Sequence, residues 1–371
     1  MAATHKYQKP GFWRRLKTGN LSETQLGLLL LAPAVIALLM VMLYPIVTVF
    51  WQSLHFERLN LPARGRPFIG LENFERLLWG REMTWSVTQL WGWRLAGLAA
   101  LLPIWWAVAK GSFKRSSAIW WTVGIALLFA LALGFHPGEE GRWGDSRFWN
   151  SFRITLVIIV VSVAGSFAVG LPLALLANIK GPFRWLVRAS LLIPWAMPRV
   201  LVGVMFAWLF NSTQGVFNDL LMRIGIEGPL WLARTTPAIA AVNITIIWTT
   251  SAFVALILLA GLQSIDESLY EAAKVDGASA WQRFWAITLP LLKPAIAVAL
   301  IFRTLTAIQA FDIPFAMTGG GPGRSLETLG IYIYNTTINL NIGYAAAISV
   351  ALFAMSLAIT VFYLRWIYTE D

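Results

Sequence analysis

The sequence predicts an all-α membrane protein with about eight transmembrane helices. Three observations lead there. Of 371 residues, 58% are hydrophobic and only 13% are charged, roughly half the charge of an average soluble domain. The apolar residues gather into runs of about 20, the length that crosses a bilayer as a helix. The lysines collect at every second connection, as a chain weaving through a membrane requires. A soluble enzyme and a disordered tail are thereby excluded. The chain has no cysteine, so it holds neither a disulfide framework nor a thiolate metal site. Its net charge of +11 is dispersed. No basic run with interleaved aromatics exists, so the partner is a lipid bilayer and not nucleic acid.

The elements follow in order. Residues 1–25 form a short N-terminal segment. Leu26–Phe50 carries no charge and is the first span. Its apolar run is too long for a cleaved signal peptide, so it reads as a signal anchor. Pro33 and Pro45 are tolerated where neighbouring helices re-satisfy the freed carbonyls. Residues 51–147 form an outer loop that holds a hairpin of two weaker spans, Leu95–Val108 and Ala118–Phe135. Trp91 and Trp93 extend the first of these, with Arg94 snorkelling outward. The pairs Trp105–Trp106 and Trp120–Trp121 suit interfacial belts. Residues 148–368 carry the remaining spans: Ile154–Ala177, Ala189–Phe210, Ala238–Leu262, Pro294–Met317 and Gly343–Tyr363. Ala189–Phe210 includes Arg199, which follows Pro198, a point where a helix can be interrupted. Pro294–Met317 includes Arg303 and Asp312.

Eight spans place both termini on one side. With an inside N-terminus, Lys6, Lys9, Lys17, Lys110, Lys114, Lys180, Lys274 and Lys293 all fall in the cytoplasm, which sets the orientation.

The segment 264–294 is unlike the other loops. Ser264 with Glu267 fits a capping box, and Ser279 with Gln282 fits a second. Ile265, Leu269, Ala272 and Ala273 recur at helical spacing. Gly277 can take the left-handed conformation that ends a helix. Pro290 marks the next break. The pattern is helix, glycine turn, helix, on the cytoplasmic side. A connection this ordered docks on something. Ala272 and Ala273 permit close approach, and Trp281, Phe284 and Trp285 offer apolar anchors.

The stretch EAAKVDGASAWQRFWAITLP at 271–290 resembles the EAA loop of binding-protein-dependent ABC importers. Glu271, Ala272, Ala273, Gly277, Ile287, Leu289 and Pro290 match its pattern. GLENFERLL at 70–78, LLIPWAMPRV at 191–200, FRTLTAIQAFDIPFAMTGGGPG at 302–323 and ETLGIYIYN at 327–335 resemble the carbohydrate-uptake, MalF-type branch. The likeness covers most of residues 20–368 and departs at about 80–147, where two helices are inserted. It implies a type I ABC importer permease core of six helices plus that pair. It also implies a permease subunit that forms the path for a sugar or oligosaccharide. Glu271, Ala272, Ala273, Asp276, Gly277, Leu289 and Pro290 would form the coupling contact with an ATPase. The implied partners are a second permease, two ATP-binding subunits and an extracytoplasmic sugar-binding protein. The implied site is the bacterial inner membrane. Sugar in this family binds near the membrane middle, on the helices flanking the loop. That points to Thr249, Thr250 and Phe253 before it, and to Arg303, Thr306, Gln309 and Ala310 after it.

Other chemistry is thin. GGGPG at 319–323 lacks the lysine and spacing of a phosphate loop and reads as an outer turn, so ATP and magnesium belong to partner subunits and no cofactor is expected here. His5, His55 and His136 have no metal-ligand spacing, and no catalytic nucleophile motif occurs. A membrane enzyme acting on lipid therefore lacks its catalytic groups. Ionisable residues within spans are functional candidates. Arg303 and Asp312 lie nine positions apart, about 900° of turn and ~13 Å of rise, so an unbroken helix holds them on opposite faces. Arg303 reads either as a donor to sugar hydroxyls or as an arginine tying the bundle together. The alternative function is an ion-gradient-driven secondary sugar transporter. It would need intramembrane carboxylates, of which only Asp312 is present, and it has no use for an ordered docking loop.

Overall fold

Apolar runs become helices in this chain, and Pro33, Pro103, Pro172, Pro194 and Pro294 lie inside them without ending them. The computed structural model describes residues 23–78, 91–111, 118–125 and 145–368. Among these there is no strand, only isolated bridges pairing His55 with Phe68 and Arg58 with Asn341. The first span comprises α1 (Glu23–Leu38), a π turn (Leu39–Leu43) and α2 (Tyr44–Ser53). After it come α3 (Glu72–Leu78), α4 (Trp91–Ala109) and a helical stretch at 118–125. The remainder holds α5 (Ser146–Asn178), α6 (Arg184–Ala196), α7 (Arg199–Leu209), α8 (Val216–Arg223) and α9 (Thr235–Gln263). These lead into α10 (Glu267–Val275), α11 (Ala280–Arg283), a π turn (Phe284–Thr288), α12 (Leu289–Ile308), α13 (Asp312–Thr318), α14 (Leu329–Ile338) and α15 (Ile342–Tyr368).

Among the described residues, five helices are long and apolar enough to cross a bilayer, and the bent pair α6–α7 makes a sixth. They correspond to the six stronger spans of the sequence. Two of those spans are corrected. Ala189–Phe210 is not one helix: α6 and α7 meet at 93°. Met197 precedes a proline and is extended, with ψ 138, because the ring of Pro198 disfavours the α region for its predecessor. Pro294–Met317 is not one helix either. The span runs from Ala280 to Ile308, and Asp312 opens the separate α13. In a continuous helix the nitrogen of residue 314 would donate to the carbonyl of residue 310. Proline has no N–H to give, and the Thr328 hydroxyl takes that carbonyl instead, at 2.8 Å.

Of the inserted pair, α4 forms over 19 residues. The predicted second helix is described only at 118–125. Its continuation, the loop at 112–117 with Lys114, and residues 1–22 lie outside the described residues. Trp105 Nε1 donates to Thr122 Oγ1 at 3.0 Å, which joins the two halves. Trp121 then meets Phe362 edge-on at 6.4 Å, and Arg365 lies over the Trp120 ring at 4.3 Å, so the pair leans on α15.

Lipid tails are as apolar as leucine, so helices associate in a membrane by close packing over small residues. Helices α5 and α9 do this along their length. A Cβ on Gly170 of α5 would lie 2.8 Å from Val254 Cγ1 and 3.0 Å from the Ser251 carbonyl oxygen. Ala174 and Ala177 continue the contact and are fully buried. Three buried clusters surround this pair: one with α7 and α13, one with α12, α14 and α15, and one with α6 and α12.

Candidate functional site

Two features stand out, one at the end of the bundle where α9 and α12 connect and one in its middle. The first is the connection α10–α11. Its opening cap is Asp266, whose carboxylate accepts the Ser268 N–H at 2.9 Å. The Ser264–Glu267 box is therefore corrected. Helix α9 runs on through Gln263 and Ser264 ends it, donating its hydroxyl back to the Gly261 carbonyl at 2.8 Å. Glu267 instead pairs with Lys180 at 2.6 and 2.7 Å, tying α10 to the end of α5. The Lys180 ammonium holds the Glu267 carboxyl below its ordinary value, and the Ser268 amide does the same for Asp266.

Gly277 turns the chain at φ +78. Its N–H reaches the Lys274 carbonyl at 3.0 Å, and Ala278 reaches Ala273 at 2.9 Å. The Ser279–Gln282 capping box forms as read, with both reciprocal bonds. The predicted break at Pro290 does not occur. The helix continues from α11 through the π turn into α12, and Pro290, the second residue of α12, follows that wider turn.

This loop is ordered yet uncovered. Glu271, Ala272, Asp276, Gly277 and Pro290 are exposed, and Ala273 and Leu289 are half-buried. Val275 is 89% exposed and Trp281 69%. Trp281, Phe284 and Trp285 cluster with ring centres 5.5 to 5.9 Å apart, beside a cleft floored by Tyr270 and Leu175. Tyr270 is fastened to Thr288 by a 3.0 Å hydroxyl bond.

The second feature is a small cavity among α5, α9 and α12, where α12 breaks into α13. Thr249, Thr250, Arg303, Thr306, Gln309 and Ala310 all line it. Six of the seven residues implied for a substrate path are thus brought together. Phe253 is not among them, because its ring is stacked on Trp195 with centroids 5.9 Å apart. Arg199 and Asp312 join from the starts of α7 and α13. The cavity measures about 40 Å³, room for a few waters. Arg303 is only 2% exposed. It donates from Nε to Ser166 Oγ at 3.2 Å and from Nη2 to Ser162 Oγ at 2.7 Å. Among the described residues no group of three or more His, Asp or Glu side chains could hold a metal ion.

The comparisons with known proteins fit this architecture. Residues 166–368 match the family of binding-protein-dependent transport system inner membrane components. The chain belongs to that family. It is a multi-pass permease subunit of an ABC importer, not itself an enzyme, and the gradient-driven alternative is set aside. It is 47% identical to the sulfoquinovosyl glycerol transport system permease protein SmoG of Agrobacterium fabrum, over 74% of this chain and 89% of that protein. It is 32% identical to the trehalose/maltose transport system permease protein MalF of Thermococcus litoralis, over 92% of this chain and 94% of that one. In fold it resembles a chain of a bacterial alginate ABC transporter solved with an alginate pentasaccharide-bound periplasmic protein. That match has a TM-score of 0.55 at 25% identity, covering 73% of this permease and 92% of that chain.

One cluster escaped the sequence reading. At the opposite end from the loop, Asp145 caps α5 by accepting the N–H groups of Arg147 and Phe148 at 2.9 and 3.3 Å. It also accepts the hydroxyls of Tyr332 and Tyr344. Burial, with the Asp145 carboxylate beside it, pushes the Tyr332 phenol up. Arg147 forks onto Glu327 at 2.5 and 2.7 Å. The local signal was the aspartate opening DSRF, a helix cap. Its partners lie about 180 residues away and leave no trace in spacing.

Proposed function

We propose that this permease carries a sugar or glycoside across a bacterial cytoplasmic membrane, with both termini in the cytoplasm. It would work beside a second permease, two ATP-binding subunits that hold ATP and magnesium, and an extracytoplasmic solute-binding protein. The relatives named for sulfoquinovosyl glycerol and for trehalose and maltose support the cargo class. The observation that carries the reading is the loop. An ordered helix–turn–helix with Val275, Trp281 and Trp285 more than half exposed is a surface awaiting a partner. In the proposed mechanism Glu271, Ala272, Ala273, Asp276 and Gly277 seat in the ATPase, with Leu289 and Pro290 leading the motion into α12. Closure of the ATPase then moves α12 and reshapes the cavity. Thr249, Thr250, Arg303, Thr306, Gln309 and Ala310 line the path, and the loaded binding protein delivers cargo at the Asp145 end. The working units are the N-terminal segment 1–25, the first span 26–50, the outer loop with its inserted hairpin 51–147, and the permease core 148–368.

The test is co-purification of tagged chain from its native membrane in mild detergent. An ATP-binding subunit is expected with the wild type. Gly277→Pro, whose ring cannot adopt φ +78, is expected to lose that subunit or to uncouple its ATPase from transport. Recovery of the chain without any ATPase, from membranes whose other complexes stay intact, overturns the reading.

A further inference from the structure

We infer that the cargo is anionic: a glycoside bearing a carboxylate, sulfonate or phosphate, whose charge is met by Arg303 and Arg199. The inference rests on the cavity being part of the transport path.

A guanidinium has five N–H donors. Two from Arg303 reach hydroxyl oxygens, on Ser166 and Ser162. The other three have no protein acceptor among the described residues. Both acceptors are neutral. The Ser166 hydroxyl donates onward to the Ser162 carbonyl at 2.5 Å and also meets Thr250 at 2.8 Å, so that network is occupied by itself. A cation only 2% exposed, with no ion pair among the described residues, is costly unless an anion completes it.

The surroundings increase the imbalance. Arg199, the first residue of α7, lines the same cavity and forms no ion pair among the described residues. Pro198 ahead of it provides no side-chain cap. The free N–H groups of that helix start therefore add further positive potential. Among the described residues Asp312 is the single carboxylate on the cavity wall. It sits at the start of α13, where that helix's own N–H groups favour a negative charge, and it pairs with neither arginine. Two cations face one carboxylate. Arg199 and Gln309 are exposed on this chain, so the cavity reaches the surface, where a ligand can arrive. Around the charge, Thr249, Thr306 and Gln309 offer oxygens and an amide suited to sugar hydroxyls.

The test uses the complete importer, purified with its ATP-binding subunits and held in lipid nanodiscs. It is titrated calorimetrically with methyl α-D-glucoside, with methyl α-D-glucuronide, and with the glucoside carrying a 6-sulfonate in place of its 6-hydroxyl. At least one acidic probe is expected to bind about ten- to hundred-fold more tightly than the neutral glucoside. Arg303→Gln is expected to abolish that preference, and Arg303→Lys to retain most of it. If Arg303→Gln does not assemble, Arg199→Gln carries the test, with an expected several-fold loss of preference. Equal binding of acidic and neutral probes overturns the inference and points to a carboxylate from the second permease as the counter-charge. Binding of none of the three, or a preference that survives both glutamine variants, overturns it as well. Absence of ATP-binding subunits from the purified material is a different failure, that of the importer reading itself.

Discussion

Replacing Glu327 by leucine tests whether the Asp145 end of the bundle is held by charge. Glu327 is 2% exposed and accepts three bonds, two from Arg147 at 2.5 and 2.7 Å and one from Asn335 at 2.8 Å. Deleting one member of a buried pair costs about 3–5 kcal/mol, because the other charge is stranded. The Arg147 side chain is 24% exposed and can recover some hydration. The low end applies, about 3 kcal/mol. At about 2–4 °C per kcal/mol, the apparent melting temperature should fall by about 6–12 °C. The assay is thermal unfolding of the intact complex followed by tryptophan fluorescence. The double variant Arg147→Met/Glu327→Leu removes both charges and should recover most of the loss, since a well-packed apolar pair is often neutral. The reasoning is refuted if the single variant melts within about 2 °C of wild type, or if the double variant is no better than the single.

Three further outcomes are expected. Gly170→Val places a side chain against Val254 and the Ser251 carbonyl. It should cost about 1–3 kcal/mol, read as a lower melting temperature without any change in loop accessibility to protease. Thr328→Val strands the Ala310 carbonyl and uncaps α14. About 1–3 kcal/mol should be lost, with faster hydrogen exchange over 329–331. The Asp266 carboxyl is held below its ordinary value by the Ser268 N–H. A depressed folded value contributes stability above the usual carboxylate range and loses it as pH falls through that value. Protection of the Ser268 amide should therefore be level from pH 7 to 5 and drop below about pH 4. Asp266→Asn, still a good cap, should remove that step; a step that persists would assign it to another group.

The spans were legible because hydropathy over 20 residues is a one-dimensional signal, and the six strong ones stand where the runs are. The glycine turn at Gly277 and the box at Ser279 were legible because both are local chemistry. The box at Ser264 misled because the same serine can end one helix or open the next. Helix α9 claimed it, and Asp266, two residues on, became the cap. Pro290 and Pro314 show why proline alone is an ambiguous signal. Pro290 and Pro294 lie within the continuous span Ala280–Ile308, whereas Pro314 follows a break at which Thr328 takes the Ala310 carbonyl. Thr328, the donor at Ala310, is far along the chain and was invisible beforehand. The Asp145–Glu327 network was missed for the same reason. Grouping of the path residues was read through family likeness, and Phe253 failed to join them because Trp195 offers its ring a closer partner.

The break before α13 has a geometric consequence. Counted along an ideal helix, Arg303 and Asp312 are about half a turn out of phase and would never share a solvent volume. They border the same cavity because the chain breaks between α12 and α13. The break, and not the count along the sequence, thus decides which side chains become neighbours.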